Sequence, residues 1–322
     1  MKRRAALLVA LLVVIAPAAG APQSSKVARL GILLYSSPRT DPNVATFLEQ
    51  MRELGHVEGR NLAIDYRYAE GRPERLPALA VELVRLKPDV IYALGGDVVL
   101  PVVQATRTIP VVAVTSNDPV RVGLAASLAR PGGNVTGTTF ILEELAGRRL
   151  ALLKEIVPEA ARVGVLWNPD HADPEFRELE RGAQTLGVRV VSLEVRRGEE
   201  LETAFAAATA ARIEALVIVS SRLVNLHRQR IEDFAARSRL PLVADWGAWA
   251  ESGALFQYGP NPVEMIRRSA YSVDRILRGA RPGDLPFERP TRFHLIVNGR
   301  VARGLGIALP PSLLLRADRV IE

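Results

Sequence analysis

The chain of 322 residues contains no cysteine. Disulfides, thiol catalysis, cysteine-ligated metals and a lipid anchor on an N-terminal cysteine are excluded together. Histidine is scarce as well: His56, His171, His227 and His294 are dispersed and show no metal-ligand spacing. No phosphate-binding loop, G-x-S-x-G elbow or H-E-x-x-H helix is written in the chain. Asp and Glu are plentiful, but no pair stands apart from ordinary surface charge. These absences lead us to expect no enzyme, no cofactor and no bound metal. Runs of one charge are missing too. The net charge is +7, but Lys2, Arg3 and Arg4 supply three of those charges. The remaining 39 basic residues face 35 acidic ones and cluster no further than pairs such as Arg148-Arg149 and Arg196-Arg197. A nucleic-acid footprint is a basic stripe with interleaved aromatics, so no nucleic-acid partner is expected.

Long apolar runs are also absent, with one exception at the start. "MKRRAALLVALLVVIAPAAGAP" opens on basic residues, continues through an apolar run from Ala5 to Ala16, and ends in small residues at Ala18, Ala19, Gly20 and Ala21. That order is the signature of a secretory signal peptide over residues 1–21. The run falls short of the roughly 20 residues a membrane span needs. A soluble, exported and periplasmic protein is the expectation, with an uncleaved anchor helix as the alternative.

What fills the rest is an alternation. Short Val/Ile/Leu-rich runs are predicted as strands at 28–34, 62–68, 90–94, 111–114, 135–138, 163–167, 189–194, 215–219, 242–244 and 255–257. Helices are predicted between them at 43–54, 74–86, 98–106, 143–156, 174–186, 199–211, 224–238 and 262–277, and a further helical-looking segment follows Pro119. Continuous apolar runs, in place of strict alternation, mark strands buried on both faces of a parallel sheet. The order also looks duplicated. "KPDVIYALGG", a helix and "TIPVVAVTSNDP" in the first half match "RIEALVIVSS", a helix and "RLPLVADWGAW" in the second. The expected architecture is α/β: two doubly wound parallel-sheet lobes with an interlobe cleft.

In such sheets a ligand sits beyond the carboxyl ends of the strands. Those ends read Tyr35-Ser36-Ser37, Gly95-Gly96-Asp97, Ser116-Asn117-Asp118, Trp167-Asn168-Pro169-Asp170, Ser220-Ser221-Arg222 and Asp245-Trp246. Each is more polar or aromatic than the strand before it. Small hydroxyls and backbone amides there suit a polar solute, and indoles suit its apolar part. Each place has a structural reading as well. Ser116, Asn117 and Asp118 are good helix caps, with Pro119 fitting a first turn. Gly95-Gly96 serves a strand-to-helix turn, and Trp167 serves a core.

"DPV" at Asp118 and "ASLARPGGNVTG" up to Gly137 resemble the tryptophan/tyrosine-type family of ABC transporter substrate-binding proteins. The likeness continues in order through "GHVEGRNLAIDYRYAEGRPERLPALAVELVRLKPDVI", "LLKEIVPEAARVGVLWNP", "YGP", "VDRILRGARPGDLPFERPTRFHLIVN" and "ALPPSLLLRADRVIE". The resemblance implies a type I periplasmic-binding fold. Its first lobe would span residues 27–138 plus about 260–285, and its second 139–259 plus about 286–322. The crossings would lie near Asn134–Phe140 and Leu255–Pro260. It further implies capture of a small solute, an amino acid or a related polar or aromatic compound, and delivery to an ABC permease with a cytoplasmic ATPase, the protein acting as a monomer. The pocket residues carried over are Tyr35, Ser36, Gly95, Gly96, Asp97, Ser116, Asn117, Asp118, Trp167, Asn168, Ser220, Ser221, Asp245, Trp246 and Tyr258. Relatives usually show Gly-Thr-Pro where Gly95-Gly96-Asp97 stands, an Asp near Ser220-Ser221, and an Arg where Gly247 stands. Those departures, with Asp97 and Asp245 gained, point to a ligand bearing an amine or hydroxyls. Two competing readings are an extracytoplasmic sensing module of the same fold and an exported α/β enzyme.

Overall fold

The computed structural model describes residues 27–37, 41–140, 143–171 and 174–322, so the expected signal peptide lies outside the described residues. Two sheets carry the chain. The first takes β1 (Ala28–Leu34), β2 (Leu62–Tyr68), β3 (Val90–Leu94), β4 (Val111–Thr115) and β5 (Val135–Thr139), all parallel, in the order β2-β1-β3-β4-β5. The second begins with β6 (Arg162–Trp167), β7 (Arg189–Glu194), β8 (Ala215–Ile218), β9 (Leu242–Ala244) and β10 (Phe256–Pro260), in the order β7-β6-β8-β9-β10. Relabelled from its own first strand, the second sheet repeats the first. β11 (Phe293–Asn298) then joins antiparallel to β10, and β12 (Arg319–Ile321) pairs parallel with β11. Every residue of β3, β4, β5 and β8 is buried, as continuous apolar runs require when helices cover both faces.

The helices are α1 (Pro42–Glu53), α2 (Leu76–Arg85), α3 (Gly96–Ala105), α4 (Glu143–Ile156), α5 (Glu175–Thr185), α6 (Leu201–Ala210), α7 (Arg222–Leu226), α8 (Arg228–Arg237), α9 (Trp249–Ser252), α10 (Pro262–Leu277), α11 (Gly299–Leu305) and α12 (Pro311–Arg316). The helix expected over 224–238 is broken at His227 into α7 and α8. The segment after Pro119 is not a helix. Gly123 takes φ +73°, a left-handed turn that stops helical propagation, and the chain folds back through Leu124 N–H to Pro119 O at 2.8 Å. α10 leaves the second sheet but packs against α1 and the first, where the Tyr92 hydroxyl lies 3.1 Å from Ser269 Oγ and His56 Nε2 lies 2.8 Å from Asp274 Oδ1. The segments 134–140 and 255–260, where the crossings are expected, are mostly strand, β5 in the first sheet and β10 in the second.

The fifth strand of each sheet carries a glycine for the same reason. A Cβ on Gly137 would stand 1.9 Å from Ala113 O, and one on Gly259 would stand 1.7 Å from Asp245 O. Backbone passes so close at both places that no side chain fits.

One charge cluster lies wholly inside the second lobe. Arg149 of α4 pairs with Glu175 at the start of α5, and its Nη1 lies 3.9 Å from Asp245 Oδ2 at the end of β9. All three residues have 0% exposure. Asp245 also accepts from the Ser220 amide at 3.2 Å and from the Ser220 hydroxyl. Buried carboxylates keep their charge only while a cation and hydrogen bonds replace water. We predict that Arg149→Met costs about 3–5 kcal/mol of unfolding free energy in denaturant titration, because two carboxylates are left uncompensated. A loss below about 1 kcal/mol, the scale of an exposed pair, would contradict this role.

Candidate functional site

The carboxyl ends of the two sheets face one another and line a small cavity of about 40 Å³ that is open to solvent. From the first lobe come Leu94, Gly95, Gly96, Val114, Ser116 and Phe140. The second lobe supplies His171, Ser220, Ser221, Arg222, Asn225 and Trp246. On the first lobe the cavity lies at the ends of β3, β4 and β5, and on the second at the ends of β6, β8 and β9. Beside it runs a groove of about 670 Å³ that shares Arg222, Asn225 and Trp246 and reaches Ser36, Asp41 and the β10–α10 junction at Asn261.

Bonds across the cleft hold the lobes together. Asp41, the N-cap of α1, forms an ion pair with Arg222 at the start of α7. His171 Nδ1 lies 2.5 Å from Asp97 Oδ1, and its Nε2 lies 3.0 Å from Ser116 Oγ. Asn168 shapes the turn that presents His171: its side chain accepts from Asp170 N–H at 2.9 Å and its carbonyl from His171 N–H at 3.1 Å. Gly95, at φ +109°, is held bare by the Arg222 stem, since a Cβ there would meet Arg222 Cδ at 2.8 Å. Phe140 and Trp246 close the apolar side, their ring centroids 4.1 Å apart.

Burial by itself would raise the Asp97 carboxyl, but His171 and Arg222 outweigh it and hold the group below its ordinary 3.8. Asp97 burdens its neighbour in turn: burial, then the Asp97 charge, push the Tyr35 phenol above its usual 10. Hydroxyl, imidazole and carboxylate stand in the order used by acyl-transfer triads. Here the order spans two lobes, so these three side chains also join them. Among the described residues no group of three His, Asp or Glu is placed to hold a metal, and no helix is long and apolar enough to cross a membrane.

Of the residues singled out from sequence, Gly95, Gly96, Ser116, Ser220, Ser221 and Trp246 line the cavity, and Ser36 lines the groove. Tyr35, Asp97, Asn117 and Asn168 stand behind that lining, with Asn117 packed beneath Gly96. Four residues are placed elsewhere. Asp245 is turned inward to Ser220 and Arg149. Trp167 stacks on Phe176 at 4.1 Å and donates to Ser192 Oγ. Tyr258 lies under the Arg148 guanidinium, 5.6 Å from its ring centre. Asp118 is half-buried and accepts from Val120 N–H at 2.9 Å and Arg121 N–H at 3.4 Å, so it caps a turn. Phe140, His171 and Asn225 are not among the strand-end residues read from sequence; Arg222 is, in Ser220-Ser221-Arg222, though it is not among the pocket residues carried over. His171 directly follows such a turn, and that adjacency is the available signal.

The sequence profile of the ABC transporter substrate binding protein family matches residues 31–321, and the chain belongs to that family. It is 26% identical over 285 residues to a tyrosine-binding protein of Clostridioides difficile strain R20291, covering 88% of this chain and 82% of the relative. A conserved domain protein of Vibrio cholerae superposes with a TM-score of 0.84 at 26% identity, over 92% of this chain and 100% of that one. An ABC domain of Streptococcus pneumonia in complex with L-Trp superposes with a TM-score of 0.80 at 21% identity, over 91% and 99% of the two chains, and shares the fold.

Two outcomes follow for the side chains around the cleft. Asp97→Asn lowers the melting temperature at neutral pH. Because the Asp97 carboxyl is held low, its contribution is present above the ordinary value of 3.8 and lost as pH falls through its depressed value. The gap between variant and parent therefore closes only below pH 3.8 in thermal unfolding, and a gap still closing near neutral pH contradicts this. Asp118→Ala costs about 1 kcal/mol of stability, as loss of a cap does. Its solute affinity, by calorimetry, stays that of the parent.

Proposed function

We propose that this chain is the solute-capturing component of an ABC importer. Exported by its N-terminal segment to the periplasm, it works as a monomer, closes its two lobes around a small solute and presents the loaded form to a membrane permease driven by a cytoplasmic ATPase. Members of the family bind small solutes and work with membrane permease components. The observation that carries this reading is the shared cavity, walled half by each lobe at the carboxyl ends of both sheets and bordered by ion pairs that cross the cleft. A pocket made by two bodies is completed only when they meet, so binding and closure are one equilibrium. A permease then reads the solute as a shape. No bond of the solute needs to break for that cycle.

The test is a thermal-shift screen of the protein without residues 1–21 against amino acids, amines, nucleosides and small organic acids. A solute at 100 times its Kd stabilises by about 2.7 kcal/mol, a shift of several degrees. Trp246→Ala, which removes an aromatic wall of the cavity, abolishes that shift. If no solute raises the melting temperature while an ester or amide is turned over, the transport reading is wrong.

A further inference from the structure

The departures from the family pattern, with Asp97 and Asp245 gained, point to a ligand bearing an amine or hydroxyls; the side chains lining the cavity speak against the amine. No carboxylate lines the cavity, whereas an arginine and a histidine do. The nearby acids, Asp97 and Asp245, stand outside that lining, and Asp97 is engaged through Oδ1 while its Oδ2 is buried without a hydrogen-bond partner. Asp97 is held by His171, and Asp245 is turned inward to Ser220 with Arg149 close by. An ammonium group entering the cavity meets no carboxylate in its lining and faces the Arg222 guanidinium.

Arg222 is the group placed to receive one. With Asn225 and Trp246, it borders both the small cavity and the wide groove. Its Nε is buried without a hydrogen-bond partner. Its ion-pair partner, Asp41, is provided for independently: Oδ1 accepts from the Asn43 amide and Asn43 Nδ2 at 3.1 Å each, and Oδ2 accepts from Ser36 Oγ at 3.3 Å. The dependence is lopsided. Asp41 keeps three hydrogen bonds but loses its cation if Arg222 turns away, whereas Arg222 left by Asp41 has an unpartnered Nε and only the Asp97 charge nearby, unless another anion takes its place. Opposite Arg222 the wall is apolar, built by Leu94, Val114, Phe140 and Trp246. A space of about 40 Å³ holds no such ligand while the Asp41–Arg222 pair is made. Entry from the groove therefore goes with exchange of one carboxylate for another on the same guanidinium.

Resting on the solute-capture reading above, we infer that the cleft takes a small carboxylate with an apolar or aromatic body and no amine, and that Arg222 exchanges Asp41 for the ligand's charge.

The test is calorimetric titration of the protein with four matched probes: 3-phenylpropionate, L-phenylalanine, 2-phenylethylamine and 3-phenylpropan-1-ol, with the corresponding indole series beside them. The acid is expected to bind at least about tenfold tighter than the other three, the scale of one hydrogen-bonded charge. Arg222→Gln removes most of the gap between acid and alcohol. Asp41→Asn keeps a capping side chain on α1 and removes the competing anion, so acid affinity rises severalfold. Tightest binding of the amino acid or the amine overturns the inference, as does an Asp41→Asn variant whose acid affinity is unchanged or falls. If the wider solute screen yields a ligand while the acids show no preference, only this inference fails. If no solute binds at all, the solute-capture reading fails with it.

Discussion

A guanidinium with no exposed surface governs the second lobe. Arg149 sits on α4, yet its partners belong to α5 and to the turn after β9, so one side chain fixes three elements against each other. Charge buried this deeply tolerates little displacement, because each carboxylate that drifts from the cation is left unsolvated. The consequence reaches the cleft through Asp245. Held from beneath by Arg149, Asp245 accepts from both the amide and the hydroxyl of Ser220, and Ser220 is cavity wall. The cavity surface of the second lobe is thus set by a cluster that never touches the cavity.

Among the described residues the first lobe has no such anchor at its rim, and it meets the second through polar side chains. Asp41 and Asp97 belong to the starts of α1 and α3, while Arg222 and His171 come from turns of the other lobe. These pairs are shielded but not sealed: side-chain exposure is 13% at Arg222 and 13% at Asp97. They differ in kind from the Arg149 cluster. A sealed pair resists any rearrangement, whereas a pair at a cleft edge is rehydrated as it parts, so its rupture costs far less. Rigid bodies joined by reversible contacts are what a closing clamp requires.

The architecture was legible in the sequence because burial on both faces leaves a mark on consecutive residues. Runs such as Val90–Leu94 and Val111–Thr115 can be read alone, and the repeated turn chemistry after them shows the duplication. β11 and β12 are not among the strands that the residue pattern marks. Phe293–Asn298 is only partly buried and alternates weakly, and Arg319–Ile321 is three residues long. Asp118 misled for a different reason. A cap, a proline and apolar residues announce a helix locally, but Gly123 turns the chain four residues later. Asp245 looked like a binding charge because its position at a strand end was visible, while the direction of its side chain was not. That direction depends on Arg149, 96 positions earlier, and no local pattern encodes it. Position at a strand's carboxyl end is a local property; orientation there is a tertiary one.

This difference bears on how a ligand is chosen on a duplicated scaffold. Both sheets keep the same strand order and the same bare glycine in the fifth strand, so the frame around the cleft is nearly fixed. What varies is which charged side chains at the rim are satisfied inward and which face the gap. A carboxylate turned toward a buried arginine contributes nothing to recognition, however close it lies in sequence to the pocket. The same carboxylate facing the cleft would call for an ammonium. Specificity in this chain therefore depends on charges the solute never meets, because Arg149 and His171 engage Asp245 and Asp97 and leave Arg222 as the cation that borders both cavity and groove.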